Sequence, residues 1–226
     1  KTLFVNEGNK YVRQLVPHDY PGAVLYNSHQ GPAVQDMTGD PFLNLRIGHD
    51  KSVFEIKTGL LGGYNAENVL ASFCVGLYMG IPIESIIQSI QSYKPRNNRS
   101  QLIYTGKNRV FMDAYNANPS SMIAAISEFL RFGGQKKLLI LGEMRELGDS
   151  SRMEHEGIVS FLKGQIVNEV VFVGEAFRKP AEQAGYSCVE STDQLTRWIT
   201  EKSLDGYFIF IKGSRSNQLE KVIPLL

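Results

Sequence analysis

Cysteine is nearly absent: the 226 residues hold two, Cys74 and Cys188. Both sit among apolar neighbours, outside any C-x-x-C or Cys/His spacing, which argues against a disulfide framework or structural zinc and fits a reducing compartment. An excess of one charge is also missing. Twenty-four Lys and Arg face 23 Asp and Glu, a formal net charge of +1. Proteins that neutralise phosphate backbones are far more basic, so no nucleic-acid partner is expected. No apolar run reaches the roughly 18 residues that a membrane span needs. His18, His29, His49 and His155 form no H-x-x-x-H pair, so no metal site made from this chain alone is expected. Nor is there a G-x-x-x-x-G-K-[ST] phosphate loop or a G-x-G-x-x-G fingerprint: Lys57-Thr58 lacks the preceding glycine, and Gly106-Lys107 is followed by Asn108. What is present, 42% apolar and 21% charged residues, is the composition of a globular chain of one large or two small domains. The opening Lys1-Thr-Leu-Phe-Val-Asn is neither a signal peptide nor a capped helix and reads as a strand entered in mid-fold, as in a fragment.

Residues 1–62 read as β-rich and interrupted. Leu3-Phe-Val and Ala23-Val-Leu-Tyr are short apolar runs, and 43–61 carries three alternating stretches broken at Gly48-His-Asp and Gly59, the pattern of hairpins. Two amphipathic helices follow, one over 66–79 with Val69, Leu70, Phe73 and Leu77 on a single stripe, the next through Ile83, Ile86, Ile87 and Ile90. The polar stretch Tyr93-Lys-Pro-Arg-Asn-Asn-Arg-Ser reads as a linker, which puts a domain boundary at Asn97 and gives domains of 1–97 and 98–226. Beyond it, apolar runs at Val110-Phe-Met, Leu138-Leu-Ile-Leu, Val170-Val-Phe-Val, Cys188-Val and Phe208-Ile-Phe-Ile alternate with helical patterns over 119–132, 151–162, 176–184, 193–202 and 218–223. Such alternation predicts an α/β fold with a doubly wound, mostly parallel sheet covered on both faces.

Ligands of open α/β sheets bind outside the carboxyl ends of the strands. Three of these ends carry chemistry: Asp113-Ala-Tyr-Asn-Ala-Asn-Pro-Ser-Ser, Gly142-Glu-Met-Arg-Glu-Leu-Gly and Lys212-Gly-Ser-Arg-Ser-Asn. Carboxylates, amides, a hydroxyl and two cations delivered to one edge suit a zwitterion, whose ammonium needs acceptors and whose carboxylate needs Lys or Arg. Plain readings stand beside this one. Asn118-Pro119 is a good helix start, Glu143, Arg145 and Glu146 suit a solvated ion pair, and Lys212 and Arg215 suit surface charges. In the first half, Asn65 reads as a helix N-cap; alternatively Asn65 and Asn68, three apart, share a side where paired amides can read an adenine edge.

Taken together these motifs resemble the Mur ligases, ATP-dependent enzymes that add amino acids to the peptidoglycan precursor. Asp113-Ala-Tyr-Asn-Ala-Asn-Pro-Ser-Ser-Met is similar to the family's D-S-Y-N-A-N-P, Gly142-Glu-Met-Arg-Glu-Leu-Gly with His155 downstream to G-D-M-x-E-L-G, and Lys212-Gly-Ser-Arg-Ser to K-G-S-R-S. Gly63-Tyr64-Asn65-Ala-Glu-Asn68 resembles its H-N-x-x-N segment, with Tyr64 in place of His, and Arg99 stands at its G-R, with Asn98 in place of Gly. The resemblance runs from about residue 62 to the end and is strongest to the member that joins D-alanyl-D-alanine to UDP-N-acetylmuramoyl-tripeptide. A ligase of this type adding a different amino acid, and a non-catalytic α/β binding module, are the alternatives.

The resemblance implies a carboxyl-terminal Rossmann-like ligase domain preceded by the end of a central ATPase domain whose phosphate loop is absent here. It implies amide formation through an acyl phosphate, in a cytoplasmic monomer, with this portion inactive alone. Asn65 and Asn68 would contact the adenine of ATP, Arg99 its phosphates and Asp113 its ribose. Asn116, Asn118, Lys212, Ser214 and Arg215, with Glu146 behind them, would serve the dipeptide or the intermediate. Magnesium would find its ligands in the absent region.

Overall fold

A computed structural model describes residues 1–226 except 18, 40, 134 and 135, so His18 lies outside the described residues. The chain divides into two compact units, Lys1–Lys94 and Pro95–Leu226.

In the first unit, β1 (Leu3–Asn6) and β2 (Ala23–Tyr26) form a parallel pair joined through α1 (Lys10–Leu15), whose N-cap Asn9 accepts from the Tyr11 and Val12 amides. A second sheet runs antiparallel in the order β3 (Ala33–Gly39), β4 (Phe42–His49), β5 (Ser52–Leu61). Where the sequence suggests three strands over 43–61, two long ones occupy the region and the third, β3, precedes it. Its 35–39 residues are exposed, so no apolar alternation marks it. β4 alternates as a half-buried strand should: Leu43, Leu45 and Ile47 pack on Leu70 and Phe73 of α2 (Ala66–Tyr78) and Ile86 of α3 (Ile83–Ser92). α1 is not anticipated by the sequence, because six residues with no buried side chain carry no periodic signal.

The second unit is one six-stranded sheet with helices on both faces. β6 (Gln101–Tyr104), β7 (Arg109–Asp113), β8 (Lys136–Gly142), β9 (Glu169–Val173), β10 (Ser187–Val189) and β11 (Tyr207–Lys212) lie in the order β10-β9-β8-β11-β7-β6. All pairs are parallel except the β6–β7 edge hairpin, which the sequence does not announce because β6 is short and never fully buried. The helices are α4 (Pro119–Arg131), α5 (Ser151–Lys163), α6 (Glu175–Ala184) and α7 (Thr192–Lys202). The chain ends in a 3-10 stretch, Leu219–Leu225, rather than the α-helix expected over 218–223, with Pro224 inside it.

Successive strand residues point to opposite faces, and the core divides accordingly. On one face Phe210 meets both Phe111 of β7 and Phe129 of α4, with ring centroids 5.0 Å apart for Phe111–Phe210 and 5.2 Å for Phe129–Phe210. On the other, Val110, Met112, Ile209 and Ile211 pack with Leu195 and Ile199 of α7 and with Leu219 and Val222 of the final stretch. With both faces covered, the central strands must be apolar throughout, which is why they stand out in the sequence. No helix among the described residues is long and apolar enough to cross a membrane.

Candidate functional site

β11 lies between β7 and β8, so the three strands whose ends carry the polar motifs are immediate neighbours. Register places Lys212 beside Asp113 on one side and Leu141 on the other. Paired residues of parallel strands point to the same face, and Lys212 Nζ donates to Asp113 Oδ2 at 2.6 Å and to the Asn116 carbonyl at 3.3 Å. Lys212 is 3% exposed, so it is no surface charge. The backbone N–H of Ser100 donates to Asp113 Oδ1 at 3.2 Å. Asp113 is therefore held at both oxygens at the mouth of the sheet.

Around this pair stand Asn116, whose Oδ1 accepts from the Ala117 amide, and Asn118, both exposed. Asn118 caps α4: its Oδ1 accepts from the Ser121 amide at 2.9 Å while the Ser121 hydroxyl answers the Asn118 N–H. With Pro119 at the first position, this is the helix start read from the sequence. Asn118→Ala is expected to lower the unfolding free energy of this unit by about 1 kcal/mol, as read by urea denaturation. Arg99 lays its guanidinium 3.6 Å from the centroid of the exposed Tyr115 ring, joining the segment before β6 to the loop after β7. Asn97 and Asn98 before it have φ of 59° and 60°. That left-handed turn suits the glycine seen at this position in the resembled family and is tolerated by asparagine, which accounts for Asn98.

The ends of β8 and β11 are fastened to each other. The Glu143 carbonyl accepts from the Ser214 N–H at 3.3 Å, the Ser214 hydroxyl at 2.8 Å and Asn217 Nδ2 at 2.9 Å. Arg145 bridges Glu143 Oε1 at 2.6 Å and Ser216 Oγ at 3.1 Å. Glycine is required here for close approach: a Cβ on Gly213 would lie 2.9 Å from the Gly142 Cα. Ser214 is buried in this lock, whereas Arg215 and Glu146 are exposed, Glu146 at a φ of 62°. Behind the β8 loop, His155 of α5 is wholly buried. Its Nε2 accepts the Met144 N–H at 3.0 Å and its Nδ1 faces the Ser151 carbonyl at 2.6 Å. Burial pushes its pKa below the ordinary 6.5, opposed by the Ser151 carbonyl contact and by Glu143. Burial also pushes the Cys188 thiol up to about 11, so it stays protonated at neutral pH.

In the first unit Asn65 does not cap α2, contrary to one of the two readings above. It has helical backbone angles and no side-chain capping bond, because a 3-10 turn over Gly63–Asn65 carries the chain into α2. Its Nδ2 donates instead to the Leu61 carbonyl at 2.8 Å, and its Oδ1 accepts from Asn68 Nδ2 at 3.2 Å. The two amides thus meet, with Asn65 buried and Asn68 exposed. The turn needs Gly62, which has a φ of 83° and where a Cβ would strike the Tyr64 ring at 2.5 Å.

The structure brings Asp113, Asn116 and Lys212 into contact, and Ser214 into the β8–β11 lock; Arg215, Glu146 and Asn118 have no side-chain contact with that buried pair among the interactions described. Tyr115, Ser216 and Asn217 take part in the rim without having been singled out from the sequence. Tyr115 lay inside a quoted motif, but nothing in its spacing marks it as the platform for Arg99. Among the described residues no group of three His, Cys, Asp or Glu side chains could hold a metal ion.

Residues 98–215 match the family described as Mur ligase, glutamate ligase domain. The chain is 32% identical over 174 residues to the UDP-N-acetylmuramoyl-tripeptide–D-alanyl-D-alanine ligase of Bacillus subtilis, covering 73% of this chain and 38% of that protein. It superposes with a TM-score of 0.85 and 18% identity on the UDP-N-acetylmuramoylalanyl-D-glutamyl-2,6-diaminopimelate–D-alanyl-D-alanyl ligase of Acinetobacter baumannii, over 97% of this chain and 49% of the other. The MurF ligase of Thermotoga maritima in complex with ADP gives a TM-score of 0.78 at 21% identity, over 99% and 53%. The chain spans about two fifths of the length of the curated relatives it matches. With the family description covering more than half of its length and the motif-bearing strand ends gathered on one rim, the chain belongs to the Mur ligase family.

Proposed function

We propose that this chain is the carboxyl-terminal part of an ATP-dependent ligase that joins D-alanyl-D-alanine to UDP-N-acetylmuramoyl-tripeptide in peptidoglycan precursor synthesis. Residues 1–97 are, in this reading, the end of the central ATPase domain, and 98–226 the ligase domain. The observation that carries it is the Asp113–Lys212 ion pair, its lysine buried and Asn116 beside it, at the mouth of a sheet in a chain whose relatives are ligases of this name. The likeness to these ligases extends over about three quarters of the chain, so it includes both units.

A carboxylate is a poor electrophile. Transfer of the γ-phosphoryl of ATP to the tripeptide carboxylate releases ADP and leaves an acyl phosphate. The free amine of the dipeptide then attacks the acyl carbon, loses a proton, and expels phosphate as the amide forms. Such chemistry asks the protein for positioning and charge stabilisation rather than covalent participation. The side chains present suit those tasks. Asn65 and Asn68 offer amides to adenine, Arg99 a cation to phosphate, and Asp113 a carboxylate fixed for the ribose hydroxyls. Arg215 is an exposed cation for the dipeptide carboxylate, and Asn116, Asn118 and Glu146 supply acceptors around it. Lys212 and Ser214 are buried and act through Asp113 and the Glu143 carbonyl. Magnesium, which would supply charge neutralisation at the phosphates, is read as bound by residues outside this chain.

The test is phosphate release by the full-length polypeptide with ATP, UDP-N-acetylmuramoyl-tripeptide and a panel of acceptors. Turnover with D-alanyl-D-alanine and none with single amino acids is expected; preference for a single amino acid would assign the chain to another ligase of the family. No turnover with any acceptor would favour a binding module.

A further inference from the structure

The loop after β8 carries the carbonyl on which the β11 loop hangs; the Glu143 N–H ties it to the Val173 carbonyl, and one imidazole holds the next residue, Met144, from behind. His155 uses both ring nitrogens. Nε2 accepts the Met144 N–H, so it is unprotonated, and Nδ1 lies 2.6 Å from the Ser151 carbonyl, so it carries the proton. That arrangement selects one tautomer of the neutral ring. The ring edge packs on Phe177 of α6, centroids 4.5 Å apart at 81°. The fixed loop then presents the Glu143 carbonyl to Ser214 and Asn217, and Arg145 to Ser216.

We propose that His155 is the positioning residue of this rim: its neutral imidazole fixes Met144 and, through the Glu143 carbonyl, the Ser214–Asn217 loop that carries Arg215. A second proton on the ring would sit at Nε2 and face the Met144 N–H donor to donor, so the clamp opens on acidification. The charged groups around the ring are Glu143 and Arg145 from the β8 loop and Glu154 from its own helix; α6 contributes only the Phe177 ring to the contacts described. Glu143 and Glu154 favour the imidazolium and Arg145 opposes it, but burial outweighs them and keeps the ring neutral at pH 7.

The consequence for catalysis rests on the ligase reading above, so the experiment has an arm that does not. In the full-length enzyme, His155→Gln keeps an acceptor near the Nε2 position, while His155→Phe keeps the ring against Phe177 and loses both hydrogen bonds. His155→Phe is expected to lower kcat/KM for the dipeptide roughly 100-fold with KM for ATP nearly unchanged, and His155→Gln to restore most of it. The wild type should lose kcat/KM on acidification below the ordinary imidazole value of 6.5, with that acid limb absent from His155→Gln. Equal kcat/KM in all three, or the same acid limb in His155→Gln, would overturn the proposal. Independently, 15N NMR of the uniformly labelled chain should show Nε2 bare and Nδ1 protonated, with the Met144 and Ser214–Asn217 amides shifting together on acidification. An Nε2–H ring, or a Met144 amide that ignores the titration, sinks the inference even if the protein ligates nothing; should His155→Phe fail to fold, the wild-type titration and His155→Gln still decide.

Discussion

Lys212→Met is expected to destabilise the second unit by about 3 kcal/mol, because it leaves the partly buried Asp113 carboxylate at the mouth of the sheet without its cation. The double variant Asp113→Asn/Lys212→Met should recover most of that loss. Removing both members of a buried ion pair takes away the desolvation cost as well as the attraction, and an asparagine Oδ1 can still accept from the Ser100 N–H. Function should follow a different pattern. If Asp113 holds the ribose, both variants raise KM for ATP in the full-length enzyme, since the double variant regains the fold and not the carboxylate. Urea denaturation and KM for ATP, measured on the same proteins, separate the two effects. A double variant as unstable as Lys212→Met would show that packing, not orphaned charge, sets the cost; an unchanged KM for ATP would remove Asp113 from the nucleotide site.

Phe210→Ala should cost this unit about 3–5 kcal/mol by another mechanism. Phe210 is fully buried at the centre of β11 and touches Phe111 on the neighbouring strand and Phe129 on α4. Its removal leaves a cavity that two strands and a helix cannot close without breaking the sheet register. The polar rim is two residues further along the strand, and no contact described here joins it to Phe210. At temperatures where the variant stays folded, KM for ATP and for the dipeptide should therefore remain at wild-type values. A raised KM with little change in the denaturation midpoint would show that the core and the rim are coupled.

The central strands were legible because the physics is local: a strand buried on both faces must be apolar at every position, and Leu138-Leu-Ile-Leu and Phe208-Ile-Phe-Ile have few other readings. Asn118-Pro119 was legible for the same reason, since a helix start is written within four residues. β3, β6 and α1 were not, because short or exposed elements carry little burial pattern. The identity of the polar residues at the strand ends was likewise plain in the sequence, and so was the family they resemble. Their partnerships were not. Asp113 and Lys212 are 99 positions apart, and only the insertion of β11 between β7 and β8 puts them in register. Likewise, Asn65 could cap a helix or meet Asn68 on the sequence alone, and the 3-10 turn decided for the second. Strand order and burial are set by the packing of the whole chain, and these decide which charges are paired in the interior and which, like Arg215, are left to water.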